Sequence, residues 1–256
     1  MPFAVIPVLD VKDGLAVHAI GGIRDRYQPL RTILHDGSRP IDIARAYRYN
    51  LGLTSLYLAD LDAIAGKPQA ISLYMTIIDQ GTHLLLDAGF RDLSDIFPLE
   101  EVSSISLVVA LETIRGPAEA RAIVDRFGPA RVVFSLDQFK GRPLSATTNA
   151  WESRSSSEIA ERVIDLGFER LILLDLARVG TGKGAGSLDL LRSLRDRRPE
   201  VEIISGGGVS GMADLQTLKT AGAVGVLVGS AFHDGRIGPA ELAELNRGSP
   251  SEPHPD

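Results

Sequence analysis

Two aspartates stand where an acid–base pair would be placed. Asp10 and Asp137 each follow an apolar, β-branched run, over residues 4–9 and 131–136. A similar pattern occurs twice, 127 positions apart. The first copy is Leu9-Asp10-Val11-Lys12-Asp13-Gly14, and the second is Leu136-Asp137-Gln138-Phe139-Lys140-Gly141. Two carboxyl groups that share a cavity can divide general-acid and general-base work when their surroundings separate the two pKa values. Either aspartate alone is equally compatible with capping its own loop, but the repetition favours a catalytic pair.

Two glycine-rich segments indicate a phosphate site. They are Ser205-Gly206-Gly207-Gly208-Val209-Ser210 and Gly229-Ser230-Ala231, and we call them the two glycine loops. Glycines let the backbone approach an anion, and unpaired N–H groups then point at it. We therefore predict that Gly207, Gly208, Gly229 and Ser230 bind phosphate. A lone triple glycine is also typical of a flexible turn, whereas the pairing of two such loops favours anion binding.

Other segments carry weaker signals. Residues 180–186 (Gly-Thr-Gly-Lys-Gly-Ala-Gly) are typical of a loop that covers a substrate, with Gly180 and Thr181 as contacts, or of a plain linker. They lack the spacing of a nucleotide-binding P-loop. Arg24 and Arg26 either reach an anionic group or are solvated. Trp151, the only tryptophan, either stacks on a planar base or sugar or packs against the rim of the fold.

The elements that must position these residues alternate along the chain. Apolar runs over residues 4–9, 55–58, 83–86, 107–110, 131–136, 170–174, 202–204 and 224–228 predict eight strands. Amphipathic segments over 41–49, 157–166, 188–197 and 213–221 predict helices between them. This alternation fits a (β/α)8 TIM barrel or a doubly wound sheet. Because the second half repeats the strand ends of the first in order, we predict an α/β barrel with a twofold half-barrel repeat.

Length and composition narrow the functional classes. We expect one barrel over residues 1–247, with half-barrels of about 1–125 and 126–247, and a disordered tail over 248–256. The net charge of −6 argues against nucleic-acid binding, and no apolar run is long enough to span a membrane. The chain has no cysteine and no signal-peptide pattern, which favours the cytoplasm. The five histidines show no ligand spacing, so we predict no metal and assign no cofactor.

From Ile6 to about Phe232 the chain resembles the histidine-biosynthesis family of half-barrel repeats. The residues that carry the resemblance are Ile6-Pro7-Val8-Leu9-Asp10, Ser135-Leu136-Asp137 and the two glycine loops. The resemblance implies an isomerase whose substrate is a phosphorylated small molecule. It also implies that Asp10 is the base and Asp137 the acid of an Amadori rearrangement, the aldose–ketose type of isomerisation. Arg91 is implied as a phosphate partner.

Three departures from the family pattern concern substrate binding. Asp87-Ala88-Gly89-Phe90-Arg91 replaces Gly-Gly-Gly-Ile-Arg, Ala110-Leu111 replaces Gly-Thr, and Val179 replaces an aspartate. The family isomerase holds a substrate with two phosphates, one in each half. The departures predict that only the phosphate site of the second half is kept.

Three functional hypotheses follow. The first is an isomerase-like enzyme for a sugar phosphate or ribotide-like molecule with one phosphate, outside histidine biosynthesis. The second is the family's ribotide isomerase itself. The third is a protein that binds a phosphorylated ligand without converting it.

Overall fold

Eight parallel strands form a closed barrel in the computed structural model, which describes residues 3–145, 150–151, 155–182, 184 and 186–247. The barrel strands are β1 (Ala4–Lys12), β4 (Ser55–Asp60), β5 (His83–Asp87), β6 (Ile105–Ala110), β7 (Val132–Phe139), β9 (Arg170–Asp175), β10 (Glu202–Gly206) and β11 (Gly225–Val228). Each pairs in parallel with the next, and β11 closes the ring onto β1. The predicted barrel and its eight strands are therefore confirmed, and β7 lies opposite β1 across the ring.

Helices cover the outside of the barrel. They are α1 (Pro40–Leu51), α2 (Leu61–Ile64), α3 (Ile71–Ile78), α4 (Pro117–Phe127), α5 (Ser156–Asp165), α6 (Leu188–Arg197), α7 (Met212–Thr220), α8 (Ser230–His233) and α9 (Pro239–Arg247). The four predicted helices correspond to α1, α5, α6 and α7. Helix α1 begins with a proline, whose ring fixes a helical φ, and ends at Gly52 with a φ of 70°, a left-handed value that favours glycine. Among the described residues, no helix combines the length and apolar character needed to cross a bilayer.

Matching hairpins follow the first and fifth strands of the barrel. Strand β1 turns into β2 (Leu15–His18), which pairs with β3 (Gln28–Pro29), and β7 turns into β8 (Arg142–Pro143). The two central residues of each turn have positive φ. The angles are 50° at Asp13 and 76° at Gly14 in the first hairpin, and 54° at Lys140 and 76° at Gly141 in the second. This geometry suits a two-residue hairpin. The hairpins carry β1 and β7 beyond the positions of Asp10 and Asp137, so both aspartates lie within strands.

An apolar layer fills the inside of the barrel below these aspartates. Each barrel strand contributes at least one buried side chain to it, among them Ile6, Tyr57, Leu85, Val108, Val133, Ile172, Ile204 and Leu227. A second, larger apolar layer lies between the strands and the helices. The interior is therefore packed, as is usual in this fold, and the ends of the strands are left to form a site.

Candidate active site

A cavity of about 250 Å³ opens at the carboxyl end of the barrel strands. Its lining includes seven of the predicted site residues: Asp10, Asp137, Gly180, Gly207, Gly208, Gly229 and Ser230. Residues from the first half of the chain line it as well, among them Arg24, Tyr57, Asp87 and Glu112. The structure thus brings both predicted aspartates and both glycine loops to one pocket.

Register places the aspartates on the inner face of the barrel. Asp10 of β1 is in register with Ala59 of β4, and Ala59 with Asp87 of β5. In the second half, Asp137 of β7 is in register with Leu174 of β9, and Leu174 with Gly206 of β10. Side chains in register share one face of a sheet. Asp10 and Asp137 therefore face each other from opposite strands, and Asp87 holds the place in the first half that Gly206 holds in the second.

Burial raises the pKa of both Asp10 and Asp137, but the charged groups around the two carboxyls differ. Burial raises the pKa of Asp10 to about 7, and the Arg24 guanidinium opposes that rise. Asp137 is only 4% exposed, and its Oδ1 accepts a hydrogen bond of 2.9 Å from the Ser135 hydroxyl. Burial, together with the charges of Glu112 and Asp87, raises the pKa of Asp137 well above its usual range. Both carboxyls therefore hold a proton more tightly than a free aspartate does, and the main charges that act on them differ: a cation at Asp10, and two acids at Asp137.

Two more carboxyl groups enter the pocket from the first half. Asp87 accepts from the Gly89 amide at 3.1 Å and from the Tyr57 hydroxyl at 3.2 Å, and burial raises its pKa to about 7. Glu112, which follows β6, forms an ion pair with Arg24. We call Asp10, Asp87, Glu112 and Asp137 the acidic cluster. Sequence reasoning missed Glu112 as a site residue, although its position two residues after a strand end was a signal for it.

The two glycine loops present backbone amides to the same pocket. Gly207 and Gly208 have φ of 87° and 90°, where a side chain is strained. A Cβ on Gly208 would lie 2.6 Å from the carbonyl oxygen of Gly184. Among the described residues, the amides of Gly208, Gly229 and Ser230 have no hydrogen-bond acceptor. Backbone N–H groups in this state are suited to an anion.

Arg236 joins the two glycine loops from outside the pocket. Its guanidinium donates to the carbonyl of Ser210 at 3.0 Å and to the hydroxyl of Ser230 at 3.4 Å, and it also pairs with Asp234. Sequence reasoning gave no signal for this contact, because Arg236 lies beyond both loops in the chain. The guanidinium therefore connects the two loops, and the Asp234 carboxylate balances its charge.

A buried histidine anchors the helix that carries Ser230. His233 of α8 bonds through Nε2 to the Tyr47 hydroxyl at 2.9 Å and through Nδ1 to the Thr32 hydroxyl at 3.1 Å. Burial lowers the pKa of His233 to about 4, so the ring is neutral. Since Tyr47 donates its proton to the carbonyl of Val8, Nε2 of His233 must be the donor to Tyr47. This network ties the second glycine loop to β1.

Comparison with known proteins identifies the family. The chain matches the family described as histidine biosynthesis protein over residues 4–238. It belongs to that family. A Deinococcus radiodurans protein named 1-(5-phosphoribosyl)-5-((5-phosphoribosylamino)methylideneamino) imidazole-4-carboxamide isomerase is 31% identical, over 91% of this chain and 94% of that protein. A protein of the same name from Acidiphilium cryptum is 30% identical, over 95% and 98%. An uncharacterised protein of Methanocaldococcus jannaschii is also 30% identical, over 93% and 96%.

Three predicted binding residues lie outside the pocket lining of this histidine biosynthesis family member. Trp151 is 1% exposed and packs edge-on against Phe134 in the core, with its indole Nε1 unpartnered among the described residues. The Arg91 guanidinium turns to Asp95, at 3.6 Å, and to the carbonyl of Ala63. The Thr181 hydroxyl donates to the carbonyl of Arg178. Stacking by Trp151 and direct contacts from Arg91 and Thr181 are therefore absent from this arrangement of the described residues.

The departures from the family pattern lie in or beside the pocket. Val179 lines the pocket where the family has an aspartate, and Leu111 is fully buried after β6. Asp87 lines the pocket in the first half. The substrate named for the two isomerases carries two phosphoribosyl groups. The three departures thus lie in the first half of the barrel and in the loop after β9.

Proposed function

We propose that the protein is an isomerase of the aldose–ketose type that acts on a phosphorylated sugar or ribotide-like small molecule. Asp10 is the general base and Asp137 the general acid. The observation that carries the proposal is the opposed pair of carboxyls, each with a raised pKa and with different charged neighbours, at the end of the barrel where the glycine loops lie. Two carboxyls in one pocket can divide the acid and base work of a reaction between them.

The chemistry is an Amadori rearrangement with no net oxidation. Asp137 gives its proton to the ring oxygen of an aminoaldose as the bond from C1 to that oxygen breaks, which leaves a Schiff base at C1. The Asp10 carboxylate then removes the proton from C2. Tautomerisation of the resulting enol to the ketone returns a proton to C1 and completes the aminoketose. Each proton transfer contributes about 10²- to 10⁴-fold to the rate.

The phosphate of the substrate is assigned to the two glycine loops. Support comes from the amides of Gly208, Gly229 and Ser230, which have no acceptor among the described residues, and from the guanidinium of Arg236 nearby. Gly207 also belongs to this site, because it lines the pocket with a left-handed backbone. Such a site holds one phosphate in the second half of the barrel. Gly180, which lines the pocket on the loop after β9, completes the substrate contacts that we assign.

The test replaces each carboxyl by its isosteric amide. Asp10→Asn and Asp137→Asn should each lower kcat by about 10²- to 10⁴-fold on an aminoaldose phosphate, without loss of inorganic phosphate binding. Asp125→Asn, on the exposed face of α4, is the matched control and should keep full activity. Full activity in both pocket variants would refute the mechanism. Binding without any product in the wild-type protein would favour a ligand-binding role instead.

A second candidate is the isomerase of histidine biosynthesis itself. It is favoured by the 31% identity to the Deinococcus radiodurans isomerase over nearly the whole length of both chains. The experiment is expression in a histidine auxotroph that lacks this isomerase. Growth without histidine would establish this second candidate. Absence of growth at normal expression would favour a substrate outside the pathway.

A further inference from the structure

The pocket is asymmetric where the internal repeat would make it symmetric. Register places Asp87 opposite the position of Gly206, as described above, and the same offset of 119 places Glu112 at the position of Ala231. A glycine and an alanine of the second half therefore correspond to two acids in the first. Both acids line the pocket.

The backbone amides of the two halves also differ, because those of the first half already have hydrogen-bond acceptors. The amide of Gly89, which corresponds to Gly208, donates to Asp87 Oδ1 at 3.1 Å. The amide of Leu111, which corresponds to Ser230, donates to the carbonyl of Ser135 at 2.9 Å. Their counterparts in the second half have no acceptor among the described residues. Of the three amides available in the second half, two therefore have counterparts in the first half that already donate to an acceptor.

Acceptors take the place of those donors. Among the described residues, Arg24 supplies the one guanidinium of the pocket lining. That guanidinium is paired with Glu112. The Asp10 carboxyl has no hydrogen-bond partner among the described residues, and Asp137, at 4% exposed, has a partner there only for Oδ1. A carboxylate oxygen that faces the pocket without a protein donor can accept from the N–H groups of a ligand. A second phosphate would add repulsion instead.

We infer that Asp87 and Glu112 are specificity-determining residues that select a substrate with one phosphate and, at its opposite end, a basic nitrogen. The inference rests on the proposed function, because it takes the phosphate end to lie at the glycine loops. The expected substrate has two different ends. One end is a phosphate that accepts hydrogen bonds from backbone N–H groups, and the other is an amine or amidine that donates to the acidic cluster.

The experiment compares three ligands of equal chain length. They are an ω-aminoalkyl phosphate, an ω-hydroxyalkyl phosphate and an alkane α,ω-bisphosphate, each titrated calorimetrically into the wild-type protein at pH 8. At that pH the Asp87 carboxyl, with its pKa of about 7, is mostly ionised. We expect the amine to bind about tenfold more tightly than the alcohol, and the bisphosphate to bind more weakly than the alcohol.

The decisive variant is the double substitution Asp87→Asn/Glu112→Gln. It should abolish the preference for the amine and raise bisphosphate affinity about tenfold more than it raises the affinity for the alcohol. The matched control is Asp125→Asn/Glu101→Gln, which makes the same chemical changes at exposed positions outside the pocket. If the double variant fails to fold, Asp87→Gly, which installs the residue of the second half, is measured in the same way.

The outcomes separate this inference from the proposed function. If the alcohol binds and the bisphosphate binds equally well or better, the phosphate site stands and the selectivity inference is refuted. An equal shift in the control variant would also overturn it, since the effect would then be one of net charge. If neither inorganic phosphate nor any of the three ligands binds, the phosphate site at the glycine loops is wrong, and both proposals fail.

Discussion

Replacement of Gly208 by serine tests whether the first glycine loop must hold its observed backbone. Gly208 has a φ of 90°, and an added Cβ would lie 2.6 Å from the carbonyl oxygen of Gly184 and 3.0 Å from Arg178. The left-handed backbone alone costs an L-residue about 1–2 kcal/mol. For a chain of this length, a loss of that size lowers Tm by about 2–8 °C. Relief of the clash must also move the loop away from Gly184, and its amide with it.

The matched control lies three residues away in the same loop. Gly211 has an extended φ of 173°, and a Cβ there would meet nothing within 4 Å, so Gly211→Ser should leave Tm nearly unchanged. Inorganic phosphate affinity, measured by calorimetry, should fall at least tenfold in Gly208→Ser and stay the same in Gly211→Ser. Tm values and phosphate affinities that match wild type in Gly208→Ser would refute the assignment of this loop as the phosphate site.

Two further predictions concern charge. Asp10 and Asp87 have folded-state pKa values of about 7, above their usual 3.8, so the folded state holds protons that the unfolded state releases. The free energy of unfolding should therefore fall as pH rises from about 4 to about 8, by up to about 4 kcal/mol for each group, and Asp87→Asn should flatten that slope in denaturant titrations. A slope unchanged in Asp87→Asn would contradict the raised pKa. Arg236→Gln should weaken inorganic phosphate binding about fivefold, through the lost contacts to Ser210 and Ser230, with little change in Tm. Arg121→Gln on α4 is its control, and equal losses in both variants would exclude a local role.

The barrel was predictable because its signals repeat. Continuous apolar runs mark strands covered on both faces, and the order of the strand ends in the second half copies that of the first. The carboxyl ends of such strands meet on one side of a barrel. For that reason the sequence alone assigns Asp10, Asp137 and the two glycine loops to a common pocket.

The side chains whose surroundings the sequence did not predict are those whose direction depends on tertiary packing. Trp151 follows a polar segment, yet its ring is held in the core by Phe134. Arg91 turns away from the pocket because Asp95, four residues on, offers a local carboxylate. Glu112 is the opposite case, since its partner Arg24 lies 88 residues away and only the fold brings the two together. Neither periodicity nor spacing contains such information.

The apolar layer inside the barrel explains why Asp10, Asp87 and Asp137 have raised pKa values. The eight buried side chains that fill the barrel lie directly below the carboxyls and exclude water from that side. Desolvation is accordingly the largest cause of the raised pKa at Asp10, Asp87 and Asp137. At Asp10, the charge of Arg24 opposes the rise in pKa that desolvation causes. The charges that act most strongly on Asp137 are those of other acids. The proposed division into base and acid thus depends on the charges around each carboxyl: Arg24 lowers the pKa of both, whereas Glu112 and Asp87 raise the pKa of Asp137.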